Sequence, residues 1–336
     1  MFPRKMIRYA QLGLKEQLVH SPEPWLCYYC AECSATCPRD AKPGEIMAAL
    51  RRYAIASFDP TGLAGLMYRS PALAITATLL LAGVLAFFLV SLQPSHPYQW
   101  IFGLVPYEVI HTVGMAVSAV FAVVAVIAVV KLMRQYSRAV GGLETLRKLP
   151  WSRHAQALKE VAREIATMKR HRQCDVNQAR WYLTPRIVHA SIMAGFLGLF
   201  AATLLDFVFI YLLHGTVFLP ARLLGTISGL VMLYGVSVAI YQRYQGRADH
   251  LKHSTLADWW LLVFLFVLAI TGFWLDFTVT FRWHSRIHDA VLLLHTVMAM
   301  ELVLLVMITK LAHAIYRPLS LGLYFLQKQQ NLTSTN

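Results

Sequence analysis

The sequence is poor in charge, and acidic residues are especially scarce. Only 14% of its 336 residues are charged, with 17 acidic side chains against 31 basic ones, whereas soluble domains contain about 25% charged residues. This deficit, together with 57% hydrophobic residues, excludes an ordinary soluble enzyme and a disordered scaffold. The net charge of +14 is better explained by Lys and Arg in the cytoplasmic loops of a membrane protein than by nucleic-acid binding. We therefore expect an integral membrane protein with a polar cytoplasmic head and no nucleic-acid partner.

Cysteine is scarce as well, and its distribution is uneven. Five cysteines occur, four of them within residues 27–37. Such clustering indicates a metal site, because a disulfide framework would be unusual in the cytosol. The first strongly apolar segment begins only near Pro71, so no N-terminal signal peptide is expected.

Long apolar runs organise the rest of the chain. A bilayer core about 30 Å thick requires roughly 20 apolar residues per helix, and six stretches reach that length. These stretches are residues 72–92, 108–130, 187–212, 223–242, 259–280 and 288–310. The predicted fold is all-α, with a helical, ferredoxin-like head over 1–70, a transmembrane domain over 71–325 and a polar, disordered tail over 326–336.

The basic residues predict the orientation. If both termini face the same side, that side receives 28 of the 31 Lys and Arg residues, and the opposite loops contain only Arg222, Arg282 and Arg286. Because Lys and Arg in short loops favour the cytoplasmic side, we expect both termini in the cytoplasm and the chain in the inner (cytoplasmic) membrane. The cytoplasmic loop 131–186 contains an amphipathic stretch, 153–171, which is either a helix on the membrane surface or a docking surface for a soluble partner.

The cysteine cluster has the spacing of an iron–sulfur site. Cys27, Cys30, Cys33 and Cys37 form C-x2-C-x2-C-x3-C-P, a spacing known from bacterial ferredoxins. The short gaps let the first three thiolates converge on one [4Fe–4S] cluster, whereas zinc sites more often separate two C-x2-C pairs by a long spacer. In two-cluster ferredoxins the cysteine before proline binds the other cluster. The fourth ligand therefore stays open between Cys37, Cys174 and a partner's cysteine, and Cys174 is otherwise a free thiol.

The residues around the cysteines favour helices. Residues 5–19 and 44–55 have helical periodicity, and Pro43 is suited to a helix start. We therefore expect the cluster between two helices, close to the point where the chain enters the membrane.

Of the 13 histidines, four in or next to the predicted spans matter most: His111, His189, His295 and His313, the last at the inner end of the sixth. An ionisable residue inside a span is a candidate functional residue, although a single one also serves as a hydrogen-bonding residue between helices. The 18 residues from His295 to His313 correspond to five helical turns, about 27 Å along one helix face. By depth, His111 pairs with His295 near the outer surface and His189 pairs with His313 near the inner surface. This pairing predicts two bis-histidine haem b sites inside a helix bundle.

Small and acidic residues accompany these histidines. Gly114, Gly195, Gly198 and Gly272 either leave room for haem or are small residues at helix contacts. Glu108 lies one turn before His111 and is a candidate for proton exchange with quinone near the outer haem. Asp276, Asp289 and His288 compete for that role, and each is otherwise an interfacial residue facing water. Glu301 and Asp206 lie deeper, and a hydrogen-bonding role and a proton route both remain open for them.

These motifs together resemble a known group of proteins. The head resembles the C-type subunit of heterodisulfide reductases, and the helical part resembles a cytochrome b of the nitrate-reductase gamma type. The resemblance rests on residues 27–38, on 186–203, on 310–317 and on the gap between His295 and His313. The C-type subunits of quinone-modifying oxidoreductases have this fusion, and the membrane subunits for tricarballylate or citrate utilisation are similar.

The resemblance, which covers about residues 25–320, implies an electron-transfer subunit. It would link cytoplasmic redox subunits, flavin or iron–sulfur proteins, to membrane quinone through a cluster and two haems. Such fusions usually have two cysteine motifs, whereas this head has one.

Three other classes of protein remain as alternatives. A transporter would explain six spans but typically has internal repeats and broken helices, and it gives no reason for the cysteines. An iron–sulfur membrane anchor would have the cluster without haem. A transmembrane reductase of an outer acceptor would keep the haems and need no quinone.

Overall fold

The protein is helical throughout the part that the structure describes. The computed structural model describes residues 2–30, 32–92, 102–139, 147–168, 180–215, 219–246, 249–252 and 254–333. It is 83% helical, and no strand occurs within these ranges. The all-α prediction is confirmed.

The helices carry the following labels, in chain order. They are α1 (Phe2–Gln11), α2 (Lys15–His20), α3 (Glu23–Leu26), α4 (Glu32–Ala35), α5 (Pro43–Phe58), α6 (Leu63–Arg69), α7 (Pro71–Ser91), α8 (Tyr107–Ala139), α9 (Trp151–Thr167), α10 (Pro185–Asp206), α11 (Leu219–Tyr244), α12 (Asp249–Lys252), α13 (Leu256–Thr280), α14 (Arg286–Leu305) and α15 (His313–Thr333). Short 3₁₀ segments cover Trp181–Leu183 and Lys310–Ala312, and a π-helical segment, Phe207–Leu212, continues α10.

Six of the described helices, α7, α8, α10, α11, α13 and α14, are long and apolar enough to cross a membrane. Several begin at residues that favour helix starts. Proline occupies the first turn of α10, and the Thr184 side chain accepts a hydrogen bond from the Ile187 N–H. Thr255 and Asp258 form a capping box at the start of α13, which satisfies backbone N–H groups that have no partner within the helix. The prediction of six apolar spans is confirmed.

The chain folds into two compact units. The head unit comprises Met1–Thr76, Ser118–Val176 and Leu304–Asn336, and the bundle unit comprises Ala77–Val117 and Asn177–Val303. The N-terminal segment that was predicted as a separate head therefore shares its unit with residues from the middle and the end of the chain.

A small apolar core organises the N-terminal helices of the head unit. Met6, Leu18, Cys27, Met47 and Leu50 are buried together. The predicted helix over 5–19 is interrupted at Gly13, whose φ of +66° lies in a region that glycine adopts without strain. The predicted helix start at Pro43 is confirmed.

The amphipathic stretch of the long loop packs against the protein itself. It forms α9, whose Val161 is buried with Leu26 and Leu321, while Ile165 and Phe325 pack on the same cluster. The Val161 side of α9 is therefore covered by α3 and α15. Leu158, on the predicted apolar face, is 69% exposed, so both roles, a membrane-surface helix and a docking surface, stay predictions.

Two glycines lie where α10 and α11 cross closely. A Cβ atom at Gly195 would lie 2.6 Å from the Met232 backbone nitrogen, and one at Gly198 would collide with the Ser228 side chain. For these two residues the structure favours the helix-contact interpretation, because small residues let membrane helices approach each other.

Replacing Gly195 with valine is expected to destabilise the bundle unit, because the clash is with backbone rather than a movable side chain. Overpacking typically costs about 1–3 kcal/mol, which should appear as a lower midpoint of thermal unfolding in detergent. Gly83→Val in α7 is the matched control, since nothing lies within 4 Å of its Cβ position. Equal midpoints for the two variants would contradict the close crossing.

The last predicted span differs from the structure at its inner end. Helix α14 ends at Leu305, and α15 begins at His313 after a turn and the 3₁₀ segment. The prediction that His295 and His313 share one face of a single helix is therefore wrong. The predicted disordered tail is likewise replaced by helix as far as Thr333.

Candidate redox centres

The cysteine segment lies between two helices of the head unit and has an unusual backbone. Helix α3 ends at Leu26, immediately before Cys27, and α5 begins after Lys42. Tyr29, Asp40 and Lys42 have positive φ values of 59°, 47° and 44°, which non-glycine residues rarely adopt. Strained conformations of this kind cluster at functional sites.

Backbone N–H groups point at two of the sulfur atoms. The Tyr29 N–H donates to Cys27 Sγ at 3.3 Å, and the Ala41 N–H donates to Cys37 Sγ at 3.4 Å. The Ala41 bond is the main reason that the pKa of Cys37 lies below its ordinary value. Burial raises the pKa of Cys33, and the nearby Cys27 and Cys30 raise it further. Cys33 is therefore electrostatically coupled to two of its neighbours.

The donor set fits an iron–sulfur cluster better than it fits an isolated metal ion. Across the ranges described above, no three His, Cys, Asp or Glu side chains are grouped to hold a metal ion. Four cysteines without disulfide bonds, two of them accepting N–H···S bonds, nevertheless match the thiolate ligands and sulfur hydrogen bonds of iron–sulfur proteins. Cys174 lies outside the described residues, so the choice of fourth ligand between Cys37, Cys174 and a partner's cysteine stays open.

Arg51 of α5 supports the cysteine segment and brings a positive charge to it. Its Nε donates to the Pro24 carbonyl at 2.6 Å, and its Nη2 donates to the Cys27 carbonyl. The guanidinium thus binds the end of α3 from which Cys27 projects. This contact joins residues 24 positions or more apart in the chain, and no pattern in the sequence indicates it.

Replacing Arg51 with glutamine is expected to lower the reduction potential of the cluster, because a nearby cation stabilises the more negative, reduced form. Removing one charge in a partly screened site changes interaction energies by about 1 kcal/mol, which corresponds to tens of mV. Arg51→Lys keeps the charge and is the matched control. A redox titration followed by EPR measures the reduction potential of both variants. A glutamine variant with the same potential as the parent would contradict the expectation.

Tyr28 connects the cysteine segment to the distant helices α9 and α15. Its hydroxyl donates to the Glu164 carboxylate, and the Arg317 guanidinium lies 3.8 Å from the centre of its ring. Neither contact is indicated by the sequence, since residues 136 or more positions apart in the chain leave no local signal of meeting.

His111 lies at the start of α8 in an aromatic environment. Its ring centre lies 4.4 Å from that of Tyr107 and 4.5 Å from that of Tyr211. The π-helical segment after α10 places Tyr211 there, stacked on Phe207 with ring centres 5.3 Å apart. His111 Nε2 is buried and has no hydrogen-bond partner among the described residues. A buried ring nitrogen without a partner suits an axial ligand to haem iron.

His295 is held in one tautomer by Thr271 of α13. The Thr271 hydroxyl donates its hydrogen to the Val267 carbonyl at 2.8 Å, so it accepts the bond from His295 Nδ1 at 2.9 Å. Nδ1 therefore carries the hydrogen and the lone pair lies on Nε2, as in histidines that bind metals through Nε2. Gly272 makes room for this imidazole, since a Cβ there would lie 3.2 Å from His295 Cε1.

His111 and His295 both lie in the bundle unit. A Cβ at Gly114 of α8 would lie 3.6 Å from the Met300 side chain of α14. The contact brings α8 and α14 together three residues from His111 and five residues from His295.

The predicted inner pair, His189 and His313, lies in different units. His189 is half-buried near the start of α10 in the bundle unit, and His313 begins α15 in the head unit. His313 Nδ1 donates to the Lys310 carbonyl at 2.6 Å, so its lone pair also lies on Nε2.

The acidic candidates have different environments. Arg222 pairs with Asp276 at 2.8 Å between Nε and Oδ1, which leaves that carboxylate neutralised. Glu108 is partly buried in the first turn of α8. Glu301 is 2% exposed, and its Oε1 has no hydrogen-bond partner among the described residues. Asp206 lies where α10 becomes π-helical.

Comparisons with known proteins find similarity in the N-terminal region. This region is 40% identical over 70 residues to a protein of Archaeoglobus profundus that is similar to the C-type subunit of heterodisulfide reductase, an alignment covering 19% of this chain and 37% of the relative. The C-type subunits of the H(2):CoB-CoM heterodisulfide,ferredoxin reductases of Methanothermobacter thermautotrophicus and Methanothermobacter marburgensis are each 35% identical over 51 residues, covering 15% of this chain and 28% of each relative. The chain thus spans about a third of the length of the curated relatives it matches. No family model and no solved structure matches the chain.

Proposed function

We propose that this chain is a membrane-bound electron-transfer subunit of an oxidoreductase complex. It passes electrons between a cytoplasmic redox partner and the membrane quinone pool, through one [4Fe–4S] cluster and two b haems. One observation carries the proposal. A single chain joins a head with the motif C-x2-C-x2-C-x3-C-P, similar to heterodisulfide reductase C-type subunits, to six membrane-length helices. Two of these helices contain His111 and His295.

Specific residues hold the proposed cofactors. Cys27, Cys30 and Cys33 bind the cluster, with Cys37 the first choice as fourth ligand. His111 and His295 bind the outer haem, and the sequence assigns His189 and His313 to the inner haem. When bound, these groups accept and release single electrons, and the protein tunes their potentials through ligands, hydrogen bonds and burial.

The chain's own residues supply positioning and insulation. Arg51 fixes the carbonyl of Cys27. The Thr271 hydroxyl binds Nδ1 of His295, so that Nε2 is the nitrogen that faces the haem. The aromatic rings around His111 exclude water from its Nε2. Partners of the head are heterodisulfide-reductase-like subunits with flavin or iron–sulfur centres, and Glu108 is a candidate for proton exchange with quinone.

Reoxidation kinetics of the purified chain test this function. The chain is reduced with a stoichiometric amount of dithionite and mixed with a short-chain naphthoquinone, while the haem b absorbance is followed by stopped flow. We expect rapid reoxidation that a quinone-site inhibitor blocks. Reoxidation by ferricyanide alone would indicate a reductase of an outer acceptor, and a chain with cluster but no haem would be an iron–sulfur anchor.

A further inference from the structure

Two arginines from different helices of the head unit contact the cysteine segment. Arg51 of α5 donates through Nη2 to the Cys27 carbonyl. Arg317 of α15 lies over the ring of Tyr28, with its guanidinium carbon 3.8 Å from the ring centre. All four residues belong to the head unit. Two adjacent residues of the cysteine segment are therefore each in contact with a guanidinium group.

The guanidinium of Arg317 lacks a compensating partner. Arg317 is partly buried, and its Nη2, which solvent does not reach, has no hydrogen-bond partner in the part of the chain that the structure describes. The Glu164 carboxylate binds a different end of Tyr28, the ring hydroxyl. Burying a cation is costly unless hydrogen bonds or an anion compensate for its lost hydration. The unpaired Nη2 therefore suits a negatively charged neighbour.

The two guanidinium groups also influence each other. Burial lowers the pKa of Arg51, the nearby Cys27 thiolate raises it, and the positive charge of Arg317 lowers it again. The hydrogen bonds of Arg51 go to the carbonyls of Pro24 and Cys27, which are neutral groups. Two cations that repel each other become favourable beside negative charge, and the cysteine thiolates are the source of that charge in this segment.

An iron–sulfur cluster on these cysteines would supply such an anion. Its thiolate ligands make it negatively charged overall, and one-electron reduction adds a further negative charge. A fixed cation nearby therefore stabilises the reduced form more than the oxidised form. The charge of Arg317 is thus placed to favour reduction of the cluster.

We propose that Arg317 is a second cation of the cluster site, held at the cysteine segment by the ring of Tyr28, and that its charge raises the reduction potential of the cluster. The proposal rests on the proposed function, since it requires the cluster. Arg317 does not bind iron and acts from α15, as Arg51 acts from α5. The cysteine segment and α15 come from opposite ends of the chain, so no local pattern in the sequence indicates this contact.

Three substitutions separate the charge of Arg317 from its packing. Arg317→Gln removes the charge and keeps a long polar side chain over Tyr28. Arg317→Lys keeps the charge, and an ammonium group also binds the face of an aromatic ring. Tyr28→Phe keeps the ring below the guanidinium and removes the hydroxyl that binds Glu164. Arg8→Gln is the matched control, because it removes an exposed positive charge from α1 of the same unit.

A redox titration of the purified full-length chain, followed by EPR of the reduced cluster, measures the effect. We expect Arg317→Gln to lower the equilibrium constant for one-electron reduction about three- to tenfold, where tenfold corresponds to about 59 mV. The shift should persist in about 0.5 M salt, because buried charges are screened less than exposed ones. Arg317→Lys, Tyr28→Phe and Arg8→Gln should keep the potential of the parent.

Non-haem iron and acid-labile sulfide are measured in each variant, so that loss of the cluster is distinguished from a change in its potential. Loss of both from Arg317→Gln with retention in Arg317→Lys would show that the charge is needed to hold the cluster, in support of the proposal. Loss from both variants would show a structural role of Arg317 and overturn it.

Other outcomes also overturn the proposal. An Arg317→Gln chain that retains its iron and sulfide and has the potential of the parent would do so while leaving the cluster in place. An equal shift in Arg317→Lys or in Tyr28→Phe would assign the effect to packing or to the bond with Glu164 instead. A parent chain without iron, sulfide or an EPR signal would overturn the proposed function, and this inference with it.

Discussion

Replacing Cys30 and Cys33 together with alanine is expected to abolish the iron–sulfur absorbance and EPR signal of this protein. The two thiolates are central in the cysteine motif, and no other cysteine lies within the same short segment except Cys27 and Cys37. With two ligands gone, a [4Fe–4S] cluster cannot be retained. Iron and acid-labile sulfide per chain measure the effect, and haem content should stay at the parent value because the proposed haem ligands lie elsewhere.

Single variants at the remaining cysteines identify the fourth ligand. Cys37→Ala should perturb the cluster signal if this thiolate completes the site, while Cys174→Ala should leave it unchanged. The reverse result would assign Cys174 instead, and no effect from either would point to a ligand from a partner protein. Full iron and sulfide content in the chain lacking both Cys30 and Cys33 would contradict the cluster assignment.

The second large effect is expected at His295. Replacing it with asparagine keeps a donor towards Thr271 but removes Nε2, so haem ligation is lost while the contact between α13 and α14 remains. We expect one of the two haems to disappear from the pyridine haemochromogen assay, and reoxidation of the chain by naphthoquinone to fall to background. The low-temperature spectrum should retain the inner haem.

Thr271→Ser is the matched control for His295→Asn. Serine keeps the hydroxyl that accepts the bond from His295 Nδ1, so haem content should equal that of the parent. A His295→Asn chain with unchanged haem content would contradict the assignment of the outer haem and leave His295 as a hydrogen-bonding residue between helices.

Local patterns were sufficient to predict the membrane helices. Five of the six apolar runs lie within five residues of the ends of their spans, because a run of about 20 apolar residues has few alternatives to a helix in lipid. The second run, 108–130, stops nine residues before α8 ends at Ala139. The end of α14 could not be predicted in this way, since residues 306–309, Val-Met-Ile-Thr, continue the apolar pattern without Gly or Pro. The break depends on packing and on Thr309, whose hydroxyl donates to the Leu305 carbonyl.

The residue types in the sequence predicted the candidate redox centres, whereas the contacts around these residues could be seen only in the structure. Cysteine spacing and membrane histidines are local features that appear in one sequence. The partners of these residues come from distant segments: Arg51 at Cys27, Glu164 at Tyr28, Thr271 at His295. A single sequence contains no record of which distant residues meet, so the tautomers of the histidines and the burial of His288 could not be predicted.

The central claim is that one chain combines an iron–sulfur cluster with two b haems. Its most direct test is the joint determination of non-haem iron, acid-labile sulfide and haem b in the purified protein. The proposed function predicts iron and sulfide in equal amounts, as in a [4Fe–4S] cluster, together with two haem b groups per chain. Iron and sulfide without any haem would contradict the claim, and the protein would then be an iron–sulfur membrane anchor.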